Sequence, residues 1–388
     1  MRILHRRLAA GAALLIAAGM VAACGQPAPK PQDNKPSTSR FAETMSWTKV
    51  TGAKATPELA GDTYTLDLGN GKKATWKKGD KLRVAAFLQG NSNEYLTAFS
   101  GGIKQAADDA GAEVTFFDAA FDPNKQLQQM QNAATSGRYN AAIIWPIISD
   151  GTCKAITQDL PAAGMPVVVA DAATCGREFA GTGNDLWAAG SVAQVALDIK
   201  GKGQAFFDAV GKDLTAPTKA VLINGPDAIS TSKFISEAAA SADKKYDNLE
   251  VVADIPTDLT DAGALTAVQN ALQAHPDVTL VLLNYGGQIE GVAQALKRAN
   301  LQDKVKVATQ GGSPQEVRYV QSGLIVKDVP YFPATEGYCP MDMLANVWAG
   351  KPVPRLVLNQ CRTTSGSPDV TSIDILTSAN VGQYRPEY

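Results

Sequence analysis

From Lys81 onward, short apolar runs alternate with segments in which apolar residues recur at helical spacing. The runs LRVAAFL (82–88), AEVTFFD (112–118), AAIIWPI (141–147) and PVVVAD (166–171) read as buried strands. Between the first two, Leu96, Phe99, Ile103, Ala106 and Ala110 form one helix face, which Gly111 closes. Asp122-Pro123 opens a second helix with Leu127, Met130 and Ala134 inward, and Gly137 ends it. Residues 151–163 predict a third helix. A long helix over about 185–210 then leads into a second series. Its strands are TKAVLIN (218–224), LEVVADI (249–255), DVTLVLLN (277–284) and KVKVAT (304–309), with helices at about 229–245, 262–274 and 287–299. A strand LIVKDV (324–329), a helix (336–349) and a last strand RLVLNQC (355–361) follow. Strands alternating with helices imply right-handed crossovers and parallel sheets, so the body is α/β and in two halves. Ahead of it, TYTLDLGNGKKATWKKGD (63–80) alternates around Gly69-Asn70-Gly71 and predicts a β-hairpin. The extension 41–80 carries no evident chemistry and is expected to pack on the main body.

The first residues follow a different pattern. Arg2, Arg6 and Arg7 precede a small apolar run, Leu8 to Ala23, which is short against the roughly 20 residues of a membrane span. It reads as a secretory signal. Its end, VAAC, resembles a lipoprotein box, which makes Cys24 the expected lipidated first residue after cleavage at 23. GQPAPKPQDNKPSTSR (25–40) has no large apolar residue and cannot bury a core, so 24–40 reads as a flexible tether to a membrane surface.

Composition narrows the function. The chain has 36 Lys+Arg and 38 Asp+Glu. Three of those arginines lie in the signal, so the remainder is mildly acidic, which argues against a nucleic-acid partner. The two histidines are His5, in the signal, and His275. One imidazole leaves little for a histidine triad, a histidine metal site or acid–base chemistry near neutral pH. No G-x-S-x-G, Walker loop or dinucleotide G-x-G-x-x-G after a strand is present. The expectation is therefore a binding protein without metal or cofactor rather than an enzyme. Apart from Cys24, four cysteines remain: Cys153, Cys175, Cys339 and Cys361. An even number in an exported chain suggests two disulfides, and three pairings are open. Cys153–Cys175 and Cys339–Cys361 are favoured because each closes a local loop.

In open parallel sheets, ligands bind beyond the carboxyl ends of the strands. The residues at those ends are unusually rich in amides, charge and aromatics. Gln89, Asn91, Asn93, Glu94 and Tyr95 follow the first strand; Trp145 ends the third and Asp171 the fourth. In the second half Asn284, Tyr285 and Gln310 hold the same kind of position, with Lys233 at a helix start. Amides and carboxylates exchange hydrogen bonds with hydroxyls, and aromatic faces cover the C–H faces of a sugar ring. Two such edges facing one another form a closing cleft. Asn93 has an alternative reading as a helix N-cap only.

NEYLTAFSGGIKQAADDAGAEVTFFDAAFDPNKQLQQMQNAATSGRYNAAIIWP with AAGMPVVVADA resembles the first lobe of type I periplasmic sugar-binding proteins, with ribose-binding protein as the nearest pattern. ALQAHPDVTLVLLNYGGQIEGVAQALKRAN looks like the matching stretch of the second lobe. The resemblance covers roughly 81–361. It implies two Rossmann-like lobes joined by a three-crossing hinge, an enclosed sugar and an ABC importer as partner. Lobe 1 is then expected at 81–178 and 331–353, and lobe 2 at 179–330 and 354–388 with a C-terminal tail. Among the family's ligand residues, the Asn before an aromatic pair matches Asn93. The first aromatic matches Tyr95, and the second is Leu96 here. The strand-end Asp matches Asp171, but the Arg after it is Ala172. The second-lobe Arg falls near Lys233, the Asn matches Asn284, the next Asp is Gln310, and the hinge Gln falls near Pro330 or Tyr331. Losing a bidentate Arg and a charged acceptor implies a retuned site. The expected protein is a monomeric, membrane-anchored solute receptor. A sensor of the same fold feeding a membrane kinase is the alternative. A repressor with these lobes would need a helix-turn-helix head, which residues 1–80 do not supply.

Overall fold

The computed structural model describes residues 50–177, 186–196, 199–227, 229–358 and 375–388. The signal (1–23), Cys24, the tether (24–40) and Cys361 lie outside them. In chain order the elements are β1 (Val50–Ala55), β2 (Glu58–Ala60), β3 (Thr63–Asp67), β4 (Lys73–Lys77), β5 (Arg83–Leu88), α1 (Glu94–Asp109), β6 (Glu113–Asp118), α2 (Pro123–Ser136) and β7 (Ala141–Ile144). A helix over 149–162 (α3), with a π-turn at Ala155–Asp159, precedes β8 (Val167–Asp171) and β9 (Ala193–Ala196). Then come α4 (Ile199–Gly211), β10 (Thr218–Asn224), α5 (Ser230–Lys245), β11 (Leu249–Pro256), α6 (Asp261–Ala274), β12 (Leu280–Leu283), α7 (Ile289–Arg298) and β13 (Lys306–Gly311). The last are α8 (Pro314–Ser322), β14 (Ile325–Pro330), α9 (Pro333–Trp348) and β15 (Val353–Leu358).

Two sheets repeat one topology. The first runs β6-β5-β7-β8-β9 and is extended by β15 and then β1; the second runs β11-β10-β12-β13-β14. The second sheet is parallel throughout, and in the first only β1 is antiparallel, to β15. In each half the first strand lies between the second and third, so the connections reverse direction beside it. The chain passes from the first sheet to the second after Ala196 and returns after Pro330. It leaves again after Leu358, to pair Leu376 with Asp328 of β14.

Strand residues alternate between two cores, as helices on both faces require. Val84 and Ala86 pack with Phe99, Ile103, Met341 and Leu344; Ala85 and Phe87 pack with Met130, Ile144 and Ile156. Val221 and Ile223, against Ala220 and Leu222, repeat this in the second sheet. On the first core α1 and α9 cross at two glycines. A Cβ on Gly102 would stand 1.9 Å from the carbonyl oxygen of Ala334, and one on Gly337 would stand 1.9 Å from that of Phe99. The backbones meet because neither residue has a side chain.

The hairpin expected around Gly69-Asn70-Gly71 is β3–β4, and with β2 it forms a three-stranded sheet. It shares the first core: Trp76 stacks on Trp348 at 5.0 Å between centroids and donates its indole N–H to the Trp348 carbonyl at 2.9 Å. Arg355 of β15 ties this sheet to the lobe through the carbonyls of Asp67, Ser191 and Val192. Residues 375–388 run from the second sheet to α9. Leu376 exchanges both backbone hydrogen bonds with Asp328, and Tyr384 packs with Phe332 and Leu376. Glu387 accepts from the backbone N–H of Thr335 at 2.9 Å and from its hydroxyl.

Three sequence expectations change. The helix expected over about 185–210 begins only at Ile199, and Ala193–Ala196 before it are a fully buried strand. A short strand buried on both faces has no alternation to separate it from helix. β9 and β15 both belong to the first sheet, so the boundary at 178/179 assigns β9 to the wrong lobe and the one at 353/354 cuts through β15. The first lobe keeps 193–196 and 353–358, and residues 375–388 touch both lobes. Finally, α8 was not expected, although Ser313 and Glu316 form a capping box that announces it.

Candidate functional site

The two reversal points face each other across a cleft. Gln89 follows β5 and Trp145 follows β7, the pair flanking the first reversal. Gly225 follows β10 and Asn284 follows β12, the pair flanking the second. All four line one cleft of about 130 Å³, with Asn93, Tyr95 and Phe121 from the first lobe, Ser232, Leu259 and Tyr285 from the second, and Tyr331 at the hinge. Pockets for drug-sized ligands hold about 300–1,000 Å³, so this one suits a single small ring rather than an oligosaccharide or peptide.

Buried amides hold each reversal open. Gln126 of α2 donates to the Trp145 carbonyl at 2.9 Å and accepts from the Ile147 N–H at 3.0 Å. Asn224 accepts from Asn284 Nδ2 at 2.7 Å while its own Nδ2 reaches Asp254 and the Ser232 carbonyl. Phe121, Asp171 and Leu259 have φ values of 60°, 54° and 62°. Left-handed backbone in residues with a Cβ costs about 1–3 kcal/mol each and clusters where function constrains the chain.

Beneath the cleft is a layer of aromatic rings over three buried charges. Tyr95 lies 6.0 Å from both Trp145 and Tyr331, and 5.9 Å from Tyr388, between centroids. Its hydroxyl donates to Glu336 Oε2 in the first turn of α9. Glu336 Oε1 is 3.8 Å from Lys202 Nζ of α4, and both side chains are 7 % exposed. Lys202 Nζ also sits 4.3 Å from the Tyr331 ring centroid, and the Tyr331 hydroxyl donates to Gln310 Oε1 at 2.9 Å. Asp171 is 4 % exposed, and its Oδ2 has no hydrogen-bond partner. Burial, and then the neighbouring Glu336, push its carboxyl well above the usual range, against the pull of Lys202. Burial and Glu336 likewise raise the Tyr95 hydroxyl, which therefore stays a donor. In the second lobe Glu316, fully buried, is pushed up to about 7 by desolvation despite its bonds from Ser313.

The structure brings Gln89, Asn93, Tyr95, Trp145 and Asn284 to the cleft wall, and Asp171 and Gln310 to the layer beneath. All four candidate amides are already engaged, Asn284 with Asn224 and Gln310 with Tyr331. Gln89 Nε2 donates to the Pro146 carbonyl at 2.7 Å, and Asn93 Oδ1 accepts from the Leu96 N–H at 2.9 Å as the N-cap of α1. Lys233 does not reach the site: it is exposed on α5. Cys153 and Cys175 are bridged, with Cα atoms 4.7 Å apart, and the bridge pins the loop after Asp171 to α3. Cys339 is fully buried in α9 and disulfide-bonded; its expected partner Cys361 is outside the described residues. Sequence reasoning missed Lys202, Glu336, Phe121 and Tyr388. Glu336, the one acid in PATEGYCP, was the one with a signal.

The profile of the family described as periplasmic binding protein domain matches residues 84–352. Ribose import binding protein RbsB of Salmonella typhimurium is 24 % identical over 273 residues, covering 70 % of this chain and 87 % of that protein. The D-allose-binding periplasmic protein of Escherichia coli K12 is 23 % identical over 272 residues, covering 70 % and 86 %. Among solved structures, an ABC transporter solute binding protein from Bacillus halodurans with bound myo-inositol superposes with a TM-score of 0.67 at 19 % identity, covering 80 % of this chain and all of that one.

Proposed function

The chain belongs to the periplasmic binding protein family, and on that premise we propose that it is an extracytoplasmic receptor for a small polyol, a monosaccharide or near relative, which it hands to an ABC importer. The observation that carries this reading is the pair of reversal points facing one cleft of single-ring size, with aromatic faces and amides on both sides. Aromatic rings cover C–H faces, and Asn284, Tyr331 and Asp171 offer hydrogen bonds to hydroxyls. The sugar and cyclitol names of the relatives agree with that chemistry. His275, the one histidine after the signal, caps α6 and is not among the residues that line the cleft. A melting-temperature screen of the purified protein against ribose, allose, arabinose and myo-inositol tests the reading. A ligand at a hundred times its Kd stabilises by about 2.7 kcal/mol, a rise of several degrees. No rise with any polyol would overturn it.

The same reading places the receptor on a membrane through lipid at Cys24, at the end of VAAC and ahead of a Pro-rich tether. Cys24→Ser is expected to move the protein from the membrane to the soluble fraction with its melting temperature unchanged. Persistence in the membrane fraction would exclude the anchor.

A further inference from the structure

The three charges under the aromatic layer do not balance. Asp171 and Glu336 are two buried carboxylates, and Lys202 is the ammonium beside them. Among the described residues no Lys or Arg lines the cleft itself. Residue 172, after the strand-end acid, is alanine, and Lys233 stays on the exposed face of α5. Lys202 approaches Glu336 only to 3.8 Å, beyond hydrogen-bond length, and leans over the Tyr331 ring.

We propose that the cleft selects polyols bearing a protonated amine, an amino sugar or an aminocyclitol, with Asp171 as the direct counter-charge and Glu336 as the second. This rests on the reading of the cleft as a polyol site and narrows its ligand class.

Three independent features favour a cation over a neutral ring. First, Asp171 Oδ2 is buried without a partner, and an ionised carboxylate only accepts. With a hydroxyl as ligand the carboxyl keeps the proton that its burial favours; an ammonium gives up to three donors and holds the carboxylate ionised by cancelling its charge. Second, the rings of Tyr95, Trp145 and Tyr331 present π-faces, which attract cations, and Lys202 already uses one of them at 4.3 Å. Third, among the described residues the charged groups beside Asp171 are Glu336 of α9 and Lys202 of α4, which pair with each other at 3.8 Å, and no ion pair reaches Asp171 itself.

Titration calorimetry at pH 6, where such amines are protonated, separates the alternatives. The probes are D-glucosamine, D-galactosamine and D-mannosamine against the parent hexoses, scyllo-inosamine against myo-inositol, and N-acetylglucosamine as the uncharged nitrogen control. We expect at least one amine to bind tenfold or more tighter than its parent, with the preference lost on N-acetylation. Asp171→Asn should reduce the amine-to-parent ratio at least tenfold, a change in selectivity that a merely structural role would not produce. If the parents bind as tightly as the amines throughout, the counter-charge proposal fails and the polyol reading stands. If Asp171→Asn keeps the wild-type ratio, the proposal also fails. Should neither parents nor amines bind, both readings fall together.

Discussion

Asp171→Asn is expected to weaken binding of the ligand by about ten- to a hundredfold, because a hydrogen bond to a charged group is worth roughly 1.5–3 kcal/mol. The same change should stabilise the unliganded protein, increasingly so above about pH 4. Asp171 binds its proton more tightly folded than unfolded, since burial and Glu336 raise its carboxyl. The wild type therefore loses stability as pH rises from the unfolded value toward the folded one, where the native state holds more protons. Asparagine removes that loss, keeps the side-chain shape and tolerates the φ of 54°. Calorimetry and melting curves at pH 5 and pH 8 check both halves. Wild-type affinity in the variant would remove Asp171 from the site. A gap in melting temperature that closes as pH rises would refute its burial as the cause.

Gly337→Ala sets two large effects against each other. In a helix interior alanine is favoured over glycine by about 1 kcal/mol. At this crossing, however, its Cβ would lie 1.9 Å from the Phe99 carbonyl oxygen, and a backbone atom cannot swing away. Overpacking against a fixed neighbour costs about 1–3 kcal/mol or more. With the propensity gain subtracted, a net cost of about 1–2 kcal/mol lowers the melting temperature by about 2–8 °C, taking 2–4 °C per kcal/mol for a chain of this size. Binding should suffer as well, because Glu336 is the preceding residue and holds Tyr95. An equal or higher melting temperature would mean that the helices can separate freely.

Strand ends were the most legible part of the site. Burial on both faces makes a parallel strand an unbroken apolar run, so the residue after it stands out. Gln89, Trp145, Asp171 and Asn284 all showed in this way. What those side chains do was less legible. Asn93 reads as a ligand group with capping alone as the alternative, and its Oδ1 caps α1. Lys202 and Glu336 were missed because they reach the site from helices next to the hinge, not from strand ends, and the signal at Glu336 lay off the positions being read. Lys202 fell inside a stretch read as one continuous helix. β9 failed for a related reason: Ala193–Ala196 are all buried, and a four-residue run carries no period. The sheet to which β15 belongs is set by its pairing with β9 and β1, a long-range choice that no local pattern encodes.

Residues 375–388 bear on how fast the receptor can exchange its contents. They are zipped to the second lobe at Asp328 and clipped to the first at Thr335, on either side of the crossing at 331–332. A hinge rotation that parts β14 from α9 must first release Glu387 from the two donors of Thr335 or unpair Leu376. Such a rotation would break hydrogen bonds as well as turn the backbone, a cost of about 1 kcal/mol per bond that a hinge without the clip would not carry.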